Sequence, residues 1–184
     1  PRILEMEKEH GFPWAIISKA WEMGLVNLCI PESIKGFDVD VFSSALIIQE
    51  LSYGDTGIAT SAMCNDLANV VISRHGTDQQ KERFLRPFVE KPLLASFCLT
   101  EPGAGSDNSL MTSFIAPRDD GSWVLNGSKC FITNGPLADY FLVFALTAPE
   151  LKTKGLSAFV IEKGFPGFSI GTIENKCGLR AMQV

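Results

Sequence analysis

The chain has 184 residues, 46% hydrophobic and 20% charged, which suffices for one ordinary domain or two small ones with a packed core. Its net charge of −5 argues against a nucleic-acid backbone reader, and no apolar stretch approaches the roughly 18 residues of a membrane-spanning helix. Five cysteines (Cys29, Cys64, Cys98, Cys130, Cys177) form no CxxC pair, a spacing that fits buried thiols in a reducing compartment better than a disulfide framework or a zinc site. With His10 and His75 as the only histidines, no metal site is expected.

Up to about residue 92 apolar residues recur at helical spacing. Pro13 suits a first helical turn, placing Trp14, Ile17, Trp21 and Leu25 on one face, with Gly24 as the stop. "NLCIPESIKGFDVD" reads as a loop. "VFSSALIIQELSY" predicts a second helix, with Phe42, Ala45, Leu46 and Gln49 near a 3–4 repeat. "GDTGIATSAMCNDLANVVISRHG", rich in small residues, predicts a buried helix ending at Gly76. "TDQQ" is a capping box that opens another helix, which should weaken before Pro87.

After Leu93 the period becomes two. "LLASFCLT" predicts a buried strand. "SWVLNGSKCFITNG" predicts two extended arms around Asn126-Gly127, a preferred pair for a type I′ hairpin. "YFLVFAL", "LSAFVIE" and "FSIGTI" predict further strands. The fold expected is α+β: an N-terminal helical domain over 1–92 and an antiparallel barrel- or sandwich-like β domain of about six strands over 93–184. The start "PRILEMEKEHGFP" carries no initiator Met, signal peptide or transit segment, and "CGLRAMQV" ends where a strand begins, so both ends read as cut.

The loop in "FCLTEPGAGSD" raises the question of a ligand. "GAGSDN" has Asn108 where a dinucleotide fingerprint has its third glycine, and an extended stretch follows where a helix is required. A Walker loop is excluded for want of its Gly-Lys-Ser/Thr end. A plain surface turn, with Gly103 and Gly105 supplying positive φ and Asp107 capping its own turn, also accounts for the loop. Strand alternation puts Phe97 and Leu99 on one face, with Thr100 at the strand end, and Phe131 and Thr133 together on another strand. If those strand ends adjoin, two aromatics, two hydroxyls and several loop N–H groups surround one cleft, a surface suited to a flat heteroaromatic ring such as a flavin.

"FCLTEPGAGSD" followed by "GSWVLNGSKCFITNG" resembles the two flavin-proximal segments of the acyl-CoA dehydrogenases. "WEMGLVNLCIPE", "QELSYGDTGIAT" and "HGTDQQKERFL" resemble the family's N-terminal helical domain, and residues 93–184 its middle β domain. The resemblance implies FAD as cofactor, an acyl-CoA substrate of short or medium chain, and α,β-desaturation by removal of the α proton and hydride transfer to flavin N5. It implies cofactor contacts at Phe97, Leu99, Thr100, Gly105, Ser106, Phe131, Ile132 and Thr133. Substrate contacts are implied at Ser106, Met63, Leu67, Thr153 and Lys154.

The resemblance implies a catalytic carboxylate on a C-terminal helical domain that these residues do not include, so the chain alone is expected to be inactive. Glu101 and Asp107 are expected to serve turn hydrogen bonding and loop support. The resemblance further implies an electron-transferring flavoprotein as partner, a tetramer for the full-length protein, and a bacterial cytoplasmic or mitochondrial matrix location rather than secretion. An oxidase or flavin monooxygenase of the same fold, or a binding module that has kept the scaffold, are the alternatives. Lys35 and Asp38 depart from the family pattern, which has glycines there, and "KCGLRAMQV" departs from the small polar residues that often follow its Gly-x-Arg.

Overall fold

A computed structural model describes residues 11–184. The expectations for the first ten residues, His10 among them, lie outside the described residues. Among the described residues five α-helices come first: α1 (Trp14–Glu22), α2 (Val41–Gly54), α3 (Thr56–His75), α4 (Asp78–Phe84) and α5 (Arg86–Glu90). Five strands follow: β1 (Ala95–Cys98), β2 (Phe114–Pro117), β3 (Trp123–Asn126), β4 (Tyr140–Leu146) and β5 (Leu156–Glu162).

The helix boundaries follow local chemistry. The Asp40 carboxylate accepts from the Phe42 and Ser43 N–H groups at the start of α2, and Asp55 accepts from Ile58 N–H at the start of α3. The predicted capping box is present, with Gln80 N–H donating to Thr77 Oγ1 and Thr77 N–H donating to Gln80 Oε1. The helical stretch breaks at Leu85, just ahead of Pro87, into α4 and α5. Gly24, with φ +70°, follows the end of α1 and donates to the Trp21 carbonyl. On α1 the buried residues are Ile17 and Ala20, while Trp14 stands outside the core. Helix α3 is the buried helix the small residues predicted. Helix α2 has no buried residue, and Val41, Phe42, Leu46 and Tyr53 are exposed along it.

The α+β fold holds, with a mixed sheet in place of a wholly antiparallel one. Strand β4 pairs antiparallel with β5 along its whole length, and parallel with β1 from Ala95↔Tyr140 to Cys98↔Val143. Strand β2 meets the end of β4 in parallel at Phe114↔Leu146 and pairs antiparallel with β3.

Two strand expectations are overturned. Asn126-Gly127 is no hairpin turn: β3 pairs backward with β2 through a turn closed by Arg118 N–H to the Ser122 carbonyl, with Gly121 at φ +80°. Residues 128–133 are therefore not a second arm. Gly127 is glycine because a Cβ there would lie 2.0 Å from Ser113 Oγ, so packing between distant segments prevails over the local turn signal. "FSIGTI" forms no strand, and its backbone runs largely exposed across the surface. Five strands result among the described residues where about six were expected.

Helices and sheet share their cores. One cluster joins Ile17, Ala20, Ile58 and Ala62 to Leu94, Cys98, Phe141 and Val143. The other joins Ala68, Ile72, Leu85 and Phe88 to Ala95 and Leu142. Helix α3 lies between the two clusters and packs on β1. The end of β1, where the loop of interest begins, is thus held by the helix with the most buried residues among the described residues.

Candidate functional site

The site is built around the exit of β1. Residues 96–100 and 130–133 run side by side in opposite directions: the Cys130 N–H donates to the Thr100 carbonyl at 3.0 Å, and Ser96 Oγ donates to the Thr133 carbonyl at 2.9 Å. Cys64 of α3 also points its thiol at the Thr133 carbonyl, 3.7 Å away. The two threonines therefore belong to one adjoining pair of segments, but at opposite ends of it. Thr133 Oγ1 has the Met182 sulfur at 3.9 Å as a weak partner, which brings the chain's last residues to the same place. Gln183 supports that placement, its carbonyl accepting from the Asn134 N–H.

Alternation along β1 separates its side chains. Ala95 and Phe97 face one core, where Phe97 packs against Phe144 with ring centroids 5.0 Å apart. Leu94 and Cys98 face the other core, on the side of Ser96 and Thr133. Phe97 is thus turned away from the segment that carries Phe131 and Thr133. Phe131 is 70% exposed, and its φ of +56° is a backbone region that a bulky side chain rarely adopts. Ile132 packs against the first cluster. Leu99 and Thr100 are half-buried at the strand exit.

Beyond Thr100 the loop closes on itself, Glu101 and Ala104 exchanging backbone hydrogen bonds of 3.0 and 3.1 Å. Gly103, Gly105 and Ser106 are exposed. The plain-turn account of the glycines requires positive φ, and neither Gly103 nor Gly105 has it. Nor does either glycine have any atom within 4 Å of where a Cβ would stand. The fold gives no reason for glycine at these two positions. Asp107 caps the next turn by accepting from Ser109 N–H; hydrogen bonding to the Ser109 side chain and then to its N–H holds its carboxyl below the usual range. That turn, residues 108–110, packs against the turn at 149–155, so exposed Thr153 and Lys154 share the neighbourhood of Ser106.

Met63 and Leu67 sit one helical turn apart on α3, flanking Cys64; Met63 is half-buried and Leu67 exposed. Burial pushes the Cys64 thiol up to about 11 and Cys98 up to about 12, so neither is a thiolate nucleophile at neutral pH. All five cysteines are free.

One feature is absent from the sequence reading. Glu101, 4% exposed, does more than close a turn: it accepts from Thr112 N–H, Thr112 Oγ1 and Ser113 N–H and pairs with Lys129 at 2.8 Å. Burial acts to raise its carboxyl pKa, but the hydrogen bonds from Lys129, Ser113 and Thr112 outweigh this and bring it down to about 2. Lys129 also donates to the Leu99 carbonyl at 3.1 Å. Lys129 in "GSKCF", read as part of an extended arm, proves to have an enclosed side chain, 10% exposed, and a buried lysine is almost always paired with an anion.

The departures from the family pattern also find a physical reading. Lys35 (φ +67°) and Asp38 (φ +45°) both hold left-handed backbone, the conformation that glycine adopts without steric cost. A cavity of about 220 Å³ lies near Lys35, Phe37, Trp21 and Val26, away from the segments gathered at the β1 exit.

Residues 1–91 match the model of the acyl-CoA dehydrogenase N-terminal domain, and residues 96–184 match that of the acyl-CoA dehydrogenase middle domain. The chain belongs to the acyl-CoA dehydrogenase family. A short-chain specific acyl-CoA dehydrogenase of Clostridium acetobutylicum is 39% identical over 183 residues, covering 98% of this chain and 48% of the relative. The solved butyryl-CoA dehydrogenase of Megasphaera elsdenii superimposes with a TM-score of 0.90 at 37% identity, over 97% of this chain and 48% of that one. PigA, solved with FAD and proline, superimposes with a TM-score of 0.88 at 32% identity, over 97% of this chain and 47% of that one. The chain spans about half the length of the curated relatives it matches. Among the described residues, no helix is long and apolar enough to cross a membrane.

Proposed function

We propose that this chain is the part of an FAD-dependent acyl-CoA dehydrogenase that holds the flavin and one side of the thioester, with residues 1–92 and 93–184 as its two domains. The observation that carries the reading is the loop after Thr100. Its two glycines are required neither by backbone angle nor by neighbouring atoms, and a ligand brought close to the backbone supplies the missing reason. An exposed aromatic held at left-handed φ at position 131 fits the same purpose, since it offers a ring face for a flat cofactor to pack against. FAD, when bound, would supply the acceptor for the β hydrogen as hydride.

In this reading Leu99 and Ile132 give apolar packing, and Thr100 and Thr133 offer donors to the ring edge. Phe131 covers the ring face, and Gly105 and Ser106 let the loop backbone approach cofactor and substrate. Phe97 acts from behind, through its packing on Phe144, rather than by touching the ring. Met63 and Leu67 line the acyl chain on the α3 side. Thr153 and Lys154, beside the Ser106 loop, meet the CoA moiety.

The α proton requires a carboxylate base that none of these residues supplies. Glu101 is fully engaged by Lys129, Thr112 and Ser113 and is unavailable as one. We assign the base to a C-terminal helical domain, which would also cover the apolar residues of α2. Val41, Phe42, Leu46 and Tyr53, all exposed along that one helix, would be covered there. A tetramer and an electron-transferring flavoprotein partner belong to the same proposal, as does desaturation of short- or medium-chain thioesters.

The test compares two proteins. The whole protein, loaded with FAD, is mixed with butyryl-CoA; loss of the oxidised flavin band and transfer of electrons to a carrier flavoprotein are expected. Release of peroxide in place of carrier reduction would move the assignment to an oxidase. The 184-residue chain under the same conditions is expected to bind FAD weakly and to turn nothing over; turnover by it would contradict the assignment of the base elsewhere.

A further inference from the structure

Lys129 and Glu101 form the most enclosed ion pair among the described residues, with side chains 10% and 3% exposed. Each lies within two residues in sequence of a position assigned above to the flavin. Glu101 follows Thr100, and Lys129 precedes Cys130, whose N–H is bonded to the Thr100 carbonyl. The carboxylate is a hub: it gathers Thr112 N–H, Thr112 Oγ1 and Ser113 N–H at 2.7–3.0 Å, while its own backbone closes the 101–104 turn. The ammonium binds the Leu99 carbonyl and Glu101 together, with the sulfur of buried Met111 at 3.6 Å. The loop with the unexplained glycines is therefore anchored on its inner side and open on its outer side.

The choice of charged groups has a consequence that a neutral clamp would lack. Buried charges are poorly screened, so an unbalanced one acts on anything bound nearby. Reducing a flavin adds negative charge to it, and that step responds to neighbouring charge of either sign. We infer that the Glu101–Lys129 pair is a positioning clamp for the flavin loop whose two charges cancel toward the bound ring, so that removing either charge alone shifts the flavin's reduction potential and removing both does not. This inference rests on the FAD reading given above. Neither residue touches the reacting atoms; both act through the loop and through their field.

A purely mechanical clamp and a charge-balanced one differ in sign. The experiment is a redox titration of the FAD-loaded whole protein at pH 8, for wild type, Glu101→Gln, Lys129→Met and the double variant. Glu101→Gln leaves an unopposed ammonium and should raise the potential. Lys129→Met leaves an unopposed carboxylate and should lower it. The double variant should return close to wild type, and Lys129→Arg, which keeps the charge, should stay there. Shifts of the same sign in both single variants, or no shift in either, would overturn the inference.

If the single variants do not accumulate as folded protein, the double variant still decides, because it contains no unpaired charge. A potential far from wild type in that variant contradicts the inference. Wild-type protein that takes up no FAD defeats the underlying reading instead, an outcome distinct from bound flavin whose potential ignores the pair.

Discussion

Two glycine positions in this chain look alike in sequence and differ in cause. Gly127 sits where a Cβ would lie 2.0 Å from Ser113 Oγ and 2.8 Å from Ser113 Cα, and its φ is +154°. Gly105 has open space around it and no left-handed φ. The first is demanded by the fold and the second is not. A residue type thus reports on function only after the structural reasons for it have been removed, and at Gly103 and Gly105 none is left.

The contrast predicts a ranking of variants, from those that break the frame around the loop to those that leave it untouched. The largest loss of stability is expected for Lys129→Met, which strands a buried carboxylate: about 3 kcal/mol or more by denaturant unfolding. The same carboxylate gives a pH signature. Its pKa is depressed to about 2 in the folded chain from an ordinary 4.5, so its stabilising contribution is fully present above the ordinary value and is lost as pH falls from there through about 2. Wild type should lose stability over that acid range more steeply than Glu101→Gln, as measured by melting temperature against pH.

Next comes Gly127→Ala, where the added methyl must displace Ser113; about 2–3 kcal/mol of destabilisation is expected. Smaller, and opposite in sign, is Lys35→Gly. Relief of left-handed strain is partly offset by the greater freedom of glycine in the unfolded chain, leaving a gain of up to about 1 kcal/mol in a denaturant midpoint. A loss on Lys35→Gly would mean that the Lys35 side chain itself stabilises the loop.

How much of this was legible before the structure depends on the range over which each signal acts. The capping box at Thr77–Gln80 and the break ahead of Pro87 are decided within one turn of chain, and both were readable. Helix α3 was readable because a stretch rich in small residues packs closely against a sheet. The Asn126-Gly127 hairpin was misread because the segment's neighbour is Ser113, a contact no local rule contains. "FSIGTI" has strand composition, but no partner edge is paired with it. At the candidate site, alternation set Phe97 and Leu99 apart from Thr100. It could not show that Phe97 faces Phe144, or that Glu101 is paired with Lys129, because both depend on which segments lie side by side.

The most direct measurement is made at the glycine the fold does not need. Gly105→Ala in the whole protein should melt at the wild-type temperature without cofactor, since no atom lies within 4 Å of the added methyl. Its FAD affinity should fall about tenfold or more by titration, a loss of about 1.4 kcal/mol. Unchanged FAD affinity in that variant would contradict the placement of the cofactor against this loop.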